Sequence, residues 1–385
     1  MIRSFSLLFF LLIFSTQILV GQNFKGTKSF DFHNSTALNE QFKNFEVFEL
    51  DAKSIDGHFL ASKETIDFNL TFSKRLNWNF EMVPNNIKGP NYAIKISSEL
   101  GEYSIASPKV ITFKGHDVNG AKARFTINDD FFYGLIEDGD STYFIEPLHY
   151  FEPEADKNLF VIYEFDEVVK LEGKTCGAHD FVNKKKEIDN QISIPDEDLE
   201  GKLVCYDVDV RLAADWSMNT KHGGITPTEN HIIGVLNNVA TNYDDEFANE
   251  LILIVGSTFI STCSTCDPWT TSTNASTLLN SFTSWGQGNG FGTTDFEVAT
   301  LWTDRNLNGS TIGIAWVGAV CTNSKYNVCQ DFTSNAANLR VLQAHEIGHN
   351  FDANHDAGGS PFIMAPSVNT STIWSTASIL SLIHI

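Results

Sequence analysis

The stretch VLQAHEIGHNFDANHD, residues 341–356, places three histidines and one glutamate within eleven positions. Side chains four apart on an α-helix share a face, with Cβ atoms about 5–6 Å apart, so His345 and His349 can aim two imidazoles at one point. Glu346, the neighbouring residue, can reach a water held there. Zn2+ takes nitrogen, sulfur and oxygen ligands, and catalytic sites draw three from the protein and leave the fourth position to water. His355 is the third candidate ligand, provided the chain reverses after Phe351. Asp352 stands where such a helix has to end, and Asp and Asn are the non-glycine residues that best tolerate the left-handed backbone of a helix exit. A bare HExxH arises by chance, but a third histidine at this offset, followed by Asp356, points to a metal centre with a carboxylate beside it.

The helix carrying the motif is expected to start around Ser334 and to run through Ala336, Leu339, Leu342 and Ile347. It belongs to a mixed α/β domain, residues 201–385, that begins with the strand-like KLVCYDVDV. A helix follows over TPTENHIIGVLNNVATNYDDEF, with Thr226 or Thr228 as N-cap and Ile232, Ile233, Val235, Leu236 and Val239 on its apolar face. LILIVGSTF reads as a buried strand, NASTLLNSFTSWGQ as a short helix and STIGIAWVGAVC as another strand. Residues 22–170 alternate apolar and polar positions in short runs such as TIDFNLTF, KARFTI and NLFVIYEF, the period of a β-rich domain. Between them, residues 171–200 are polar and charged and read as an exposed linker.

With these elements in view, HEIGHNFDANHD resembles the HExxHxxGxxHD signature of the metzincin zinc endopeptidases, and within them the reprolysin or adamalysin group. Asp352 departs from the glycine of that signature. The string FIMAP puts Met364 where the family has its Met-turn, a tight turn beneath the metal; by itself this methionine would read as ordinary core. TDRNLNGSTIGIAWVGAVC resembles the family's edge strand, which implies that Gly313, Ile314, Ala315 and Trp316 offer main-chain groups to an antiparallel substrate. KLVCYDVDVRLAADWSM is similar to the first strand of the family, and ARFTINDDFFYGLIEDGDSTYFIEPLHYF, with IEPL at Ile145–Leu148, resembles its propeptide. The resemblance implies an α+β metzincin catalytic domain with a mixed twisted sheet and an active-site helix, one catalytic Zn2+, and protein or peptide substrates.

Cys176 stands outside the second domain, in the linker string GKTCGAHD. A thiolate is a strong zinc ligand, so a cysteine on a mobile segment can fill the fourth position and exclude water. The string is similar to the family's cysteine switch, which implies a latent pro-form inhibited by its own propeptide; a loop cysteine, free or disulfide-bonded, is the plain alternative. Cys205, Cys263, Cys266, Cys321 and Cys329 lie in the second domain, and short loops Cys263–Cys266 and Cys321–Cys329 are the expected disulfides, leaving Cys205 odd. Lys184, Lys185 and Lys186 are either the place where a protease separates the domains or a solvated loop.

Residues 1–21 read as a secretory signal: Arg3, an apolar run from Leu7 to Val20 that Ser15, Thr16 and Gln17 break, then Gly21. That run falls short of the roughly 20 apolar residues a spanning helix needs, so no membrane span is expected and the product is placed outside the cell. The formal net charge of −22 argues against nucleic acid, whose phosphates call for clustered Lys and Arg. Acidic residues are abundant but form no EF-type loop, so Ca2+ has no support in the sequence. The expectation is a secreted zinc metalloendopeptidase made as a zymogen. The competing class is a non-catalytic secreted binding protein that keeps a zinc-stabilised fold.

Overall fold

The computed structural model describes residues 22–61, 64–107, 109–171, 173–178, 206–247 and 251–383. The expected signal peptide, the Lys184–Lys186 run and Cys205 lie outside the described residues. The N-terminal half contains the strands β1 (Gln22–Lys25), β2 (Thr27–Ser29), β3 (Glu46–Glu49), β4 (Ile66–Thr71), β5 (Asn77–Pro84) and β6 (Ala93–Ser98). It continues through β7 (Gly101–Ala106), β8 (Thr112–Asp117), β9 (Lys122–Asn128), β10 (Phe131–Asp138), β11 (Ser141–Pro147), β12 (Leu159–Glu164) and β13 (Thr175–Cys176), with helices α1 (Thr36–Gln41) and α2 (Ala52–Ala61). The order of the first sheet is β1-β4-β5-β8-β9-β10-β11-β12-β3-β2. Alternation drives it: on β5, Trp78, Phe80 and Met82 turn inward while Asn77, Asn79 and Glu81 stay outside.

The C-terminal half runs β14 (Tyr206–Ala214), α3 (Trp216–His222), α4 (Ile225–Phe247), β15 (Leu251–Ser261), α5 (Ala275–Gln287) and β16 (Val298–Thr303). It closes with β17 (Thr311–Ala315), β18 (Tyr326–Gln330), α6 (Ala336–Asn350) and α7 (Thr376–Ile383). The second sheet is mixed, in the order β13-β17-β18-β16-β14-β15-β6-β7. Its strands β15, β14, β16 and β18 are parallel to one another, while β17 is antiparallel to β18. An α+β fold with a mixed sheet and a β-rich N-terminal region is therefore present, as expected.

Three expectations are corrected. The hairpin β6–β7 leaves the N-terminal sheet and pairs in parallel with β15, Thr258 opposite Ile94, covering backbone groups that an edge strand would leave open. The largest apolar cluster likewise joins the halves, with Tyr133, Leu148 and Tyr163 packed together with Ile232, Trp302 and Leu339. Neither Thr226 nor Thr228 caps α4. The helix starts at Ile225 behind Gly223 and Gly224, whose φ of 81° and 131° turn the chain, and Thr228 Oγ1 donates back to Gly224 O. Finally, residues 173–178 of the supposed exposed linker enter the molecule as β13, and Cys176 and Ala178 are buried.

Candidate metal centre

Helix α6 begins at Ala336, two residues beyond the expected Ser334, because Asn335 takes the N-cap and its side chain accepts a hydrogen bond from Asn338 N–H. All fifteen residues of α6 are buried, so the histidines are held by packing on every side. At the exit, Asp352 has φ 71°, the left-handed conformation its residue type tolerates. Ala353 N–H then donates to Gly348 O, and the chain turns back to bring His355 over the helix.

That reversal draws the three imidazoles together. His355 Nε2 lies 3.1 Å from His345 Nε2 and 3.1 Å from His349 Nε2. His345 Nδ1 is 2.8 Å from Ile363 O, and His349 Nδ1 is 2.7 Å from Ala353 O. A carbonyl only accepts, so each of these Nδ1 atoms carries the proton and each Nε2 turns a bare lone pair inward, the tautomer that metal ligands need. Tetrahedral coordination at about 2.0–2.1 Å requires ligand nitrogens roughly 3.3 Å apart, close to the spacing here. Donor chemistry and spacing both fit Zn2+. Met364 is fully buried, and a Cβ added at Gly348 would stand 2.8 Å from its sulfur, so the turn residue packs against the helix that carries the histidines.

Cys176 completes the cluster: its Sγ and the donor atoms of His345, His349 and His355 all lie within 4.8 Å of one another. The thiol also donates to Glu346 Oε2 at 3.5 Å. Burial pushes the Glu346 carboxyl up to about 8, and burial followed by the nearness of Glu346 raises the Cys176 thiol. Oε1 of Glu346 has no hydrogen-bond partner among the described residues and faces Gly313, where an added Cβ would stand 2.8 Å from Glu346 Cδ.

Residues 174–177 lie between two walls. On one side β13 runs parallel to β17, Thr175 N–H donating to Ser310 O and Gly177 N–H to Gly313 O. On the other, Cys176 N–H donates to Pro366 O and Val368 N–H to Lys174 O. Gly313, Ile314 and Ala315 thus lie on the strand that flanks the cleft, and Trp316 follows it, its Nε1–H donating to Thr283 Oγ1. A small recess behind His345 is lined by Val341, Leu342, Ile363, Pro366 and Val368.

Cys263 and Cys266 form a disulfide. The expected Cys321–Cys329 bond is absent: Cys321 is exposed in the turn after β17, whereas Cys329 is buried on β18 in the core that holds Leu342 and Ile347. Sequence reasoning also missed how the N-terminal half grips α6. Glu146 Oε1 accepts from Ala336 N–H, Tyr163 OH from Ala337 N–H, and Gln41 Oε1 from Asn335 Nδ2. These partners are 174 to 294 residues apart along the chain, and no local pattern marks them.

Comparison with known proteins agrees with this geometry. The family model Reprolysin_5, metallo-peptidase family M12, matches residues 205–377. The zinc metalloproteinase-disintegrin-like atrase-A of Naja atra is 26% identical over 261 residues, covering 64% of this chain and 40% of its own length. A zinc metalloproteinase-disintegrin-like protein of Cerberus rynchops is 29% identical over 252 residues, covering 62% and 37% respectively. The chain thus spans about 40% of the length of the curated relatives it matches. With His345, His349 and His355 of its HExxHxxxxxH string brought together above the buried Met364, the segment 205–377 is a reprolysin-type metallo-peptidase domain of family M12.

Proposed function

We propose that the chain is a secreted zinc endopeptidase made as a latent zymogen, in which His345, His349 and His355 hold Zn2+ and Glu346 carries the proton. The observation that carries this reading is the meeting of three imidazole nitrogens beside one buried carboxyl. Zn2+ bound there would supply Lewis acidity and lower the pKa of a water. Glu346 would accept that water's proton as it attacks the scissile carbonyl, then deliver it to the departing amine nitrogen. Gly313, Ile314 and Ala315 would hold the substrate by main-chain hydrogen bonds, fixing its carbonyl against the histidines.

Latency rests on Cys176. Its sulfur stands among the ligand atoms, and its segment pairs with β17 in parallel, opposite to the antiparallel direction expected of a substrate. The proposed organisation is a signal peptide over residues 1–21, a propeptide over 22–170, a linker over 171–200 cut near Lys184–Lys186, and a mature peptidase over 201–385.

The test is digestion of casein by linker-cleaved protein with and without a zinc chelator, beside Glu346→Gln. Chelator-sensitive cleavage by the wild type, lost in Glu346→Gln while zinc analysis stays unchanged, is the expected result. Zinc binding with no chelator-sensitive cleavage would make the chain a binding protein that keeps the fold.

A further inference from the structure

A second cluster of metal-ligating side chains lies outside the HExxH centre. Helix α3 ends on His222, α4 carries His231, and Asp331 follows directly after β18. The two imidazoles stack with centroids 4.0 Å apart and 25° between their planes. His222 Nε2 lies 2.9 Å from Asp331 Oδ2, and His231 Nε2 lies 3.3 Å from Asp331 Oδ1. The three side chains are only 1–3% exposed.

Hydrogen bonding alone does not account for this arrangement. His222 has a well-placed partner, but neither ring nitrogen of His231 nor Oδ1 of Asp331 makes a hydrogen bond among the described residues. The 3.3 Å contact of His231 with Asp331 is an ion pair outside hydrogen-bond geometry, and it leaves Nδ1 of the buried His231 without a hydrogen bond among the described residues; buried polar atoms left so are rare, and a bound ion is one arrangement that satisfies them. Lys221 does not fill the gap. Its ammonium reaches Oδ2 of Asp331 and Oδ1 of Asp304, leaving Oδ1 of Asp331 to face His231.

We propose that His222, His231 and Asp331 form a second transition-metal site, which takes Zn2+ or another dication that prefers imidazole. Two nitrogens and one carboxylate oxygen are a donor set suited to such ions, and the three donor atoms lie within 4.8 Å of one another. Bound there, the ion ties α3 and α4 to the segment that leads into α6, so its role is structural. The rings of Tyr150 and Tyr133, both from the N-terminal half, cover the site, Tyr150 at 5.4 Å from His222 and 5.5 Å from His231.

The test is titration of the chelator-treated full-length chain with Co2+, read by metal analysis and absorption. Two equivalents are expected to bind: one with the near-ultraviolet thiolate band of Cys176, lost in His345→Ala/His349→Ala, and one without it, lost in His231→Gln. Saturation of the wild type at one equivalent, or two full equivalents in folded His231→Gln, would overturn the proposal. If His231→Gln does not fold, His345→Ala/His349→Ala decides: one equivalent retained supports the second site, and none retained rejects it.

Discussion

Cys176 Sγ lies 3.5 Å from Glu346 Oε2 and within reach of all three histidine ligands. One thiol therefore touches both the histidine cluster and the carboxyl, and in the proposed zymogen it would fill the fourth ligand position and engage the proton carrier together. Cys176→Ala should remove both restraints while the strand β13 still fills the cleft, so uncut protein gains partial activity, on the order of tenfold over the uncut wild type. Hydrolysis of a short fluorogenic peptide, with mass spectrometry confirming an intact linker, measures this. An uncut variant as silent as the wild type would show that the strand, not the sulfur, enforces latency.

Gly313 has a role that its place on an edge strand does not advertise. A methyl there would stand 2.7 Å from Leu342 Cδ1 and 2.8 Å from Glu346 Cδ, and both neighbours sit on the fully packed α6. Because the helix cannot give way, the carboxyl must move. Gly313→Ala is expected to keep its zinc and lower kcat/KM of the linker-cleaved enzyme at least tenfold, about 1.4 kcal/mol of transition-state stabilisation. An unchanged kcat/KM would rule out this steric role.

The ligand geometry was legible because it is local: His345 and His349 share a helical face, and Asp352 is a residue type that allows the exit bringing His355 back. Strands such as β4 and β9 were legible from the alternation of apolar and polar residues, a signal carried by six or seven consecutive residues, whereas β12 is a continuous apolar run buried along its middle. What stayed hidden depends on distant partners. YAIKI reads as a strand, but nothing in it says that β6 pairs with β15, more than 150 residues later. The polar composition around Cys176 suggested solvent, yet its backbone hydrogen bonds are met by Gly313 and Pro366. The start of α4 was misplaced because two glycines set it, where a capping side chain was expected.

Asp352 allows a direct measurement of backbone strain. At φ 71° a residue with a Cβ costs roughly 1–2 kcal/mol relative to glycine, less for Asp, and a β-branched side chain fits worst. Asp352→Gly should thus leave stability within about 1 kcal/mol of the wild type and keep zinc. Asp352→Val should lose about 1–2 kcal/mol and bind zinc less tightly, since the same turn places His355. Thermal unfolding with and without zinc checks both. Equal stability of the two variants would mean that the exit does not depend on the left-handed conformation.

Glu146 makes the union of the two halves depend on pH. Burial pushes its carboxyl from 4.5 up to about 8, against the pull of the Ala336 N–H and Tyr163 hydroxyl that it accepts from. The folded chain therefore keeps a proton that the unfolded chain loses above about 4.5. Stability from this group is complete below pH 4.5, declines as pH rises, and is gone once pH passes about 8. Glu146→Gln keeps the acceptor for Ala336 N–H without the charge. It should stabilise the uncut chain at pH 8 by roughly 2–4 kcal/mol and flatten the fall in Tm between pH 5 and pH 8. Linker-cleaved protein freed of its N-terminal half should show no such slope, because the segment that holds Glu146 is gone. A wild-type Tm that stays level or rises over this range, with other groups matched by the variant, would show that Glu146 is ionised in the folded chain and that the cap on α6 is an ordinary charge–dipole contact.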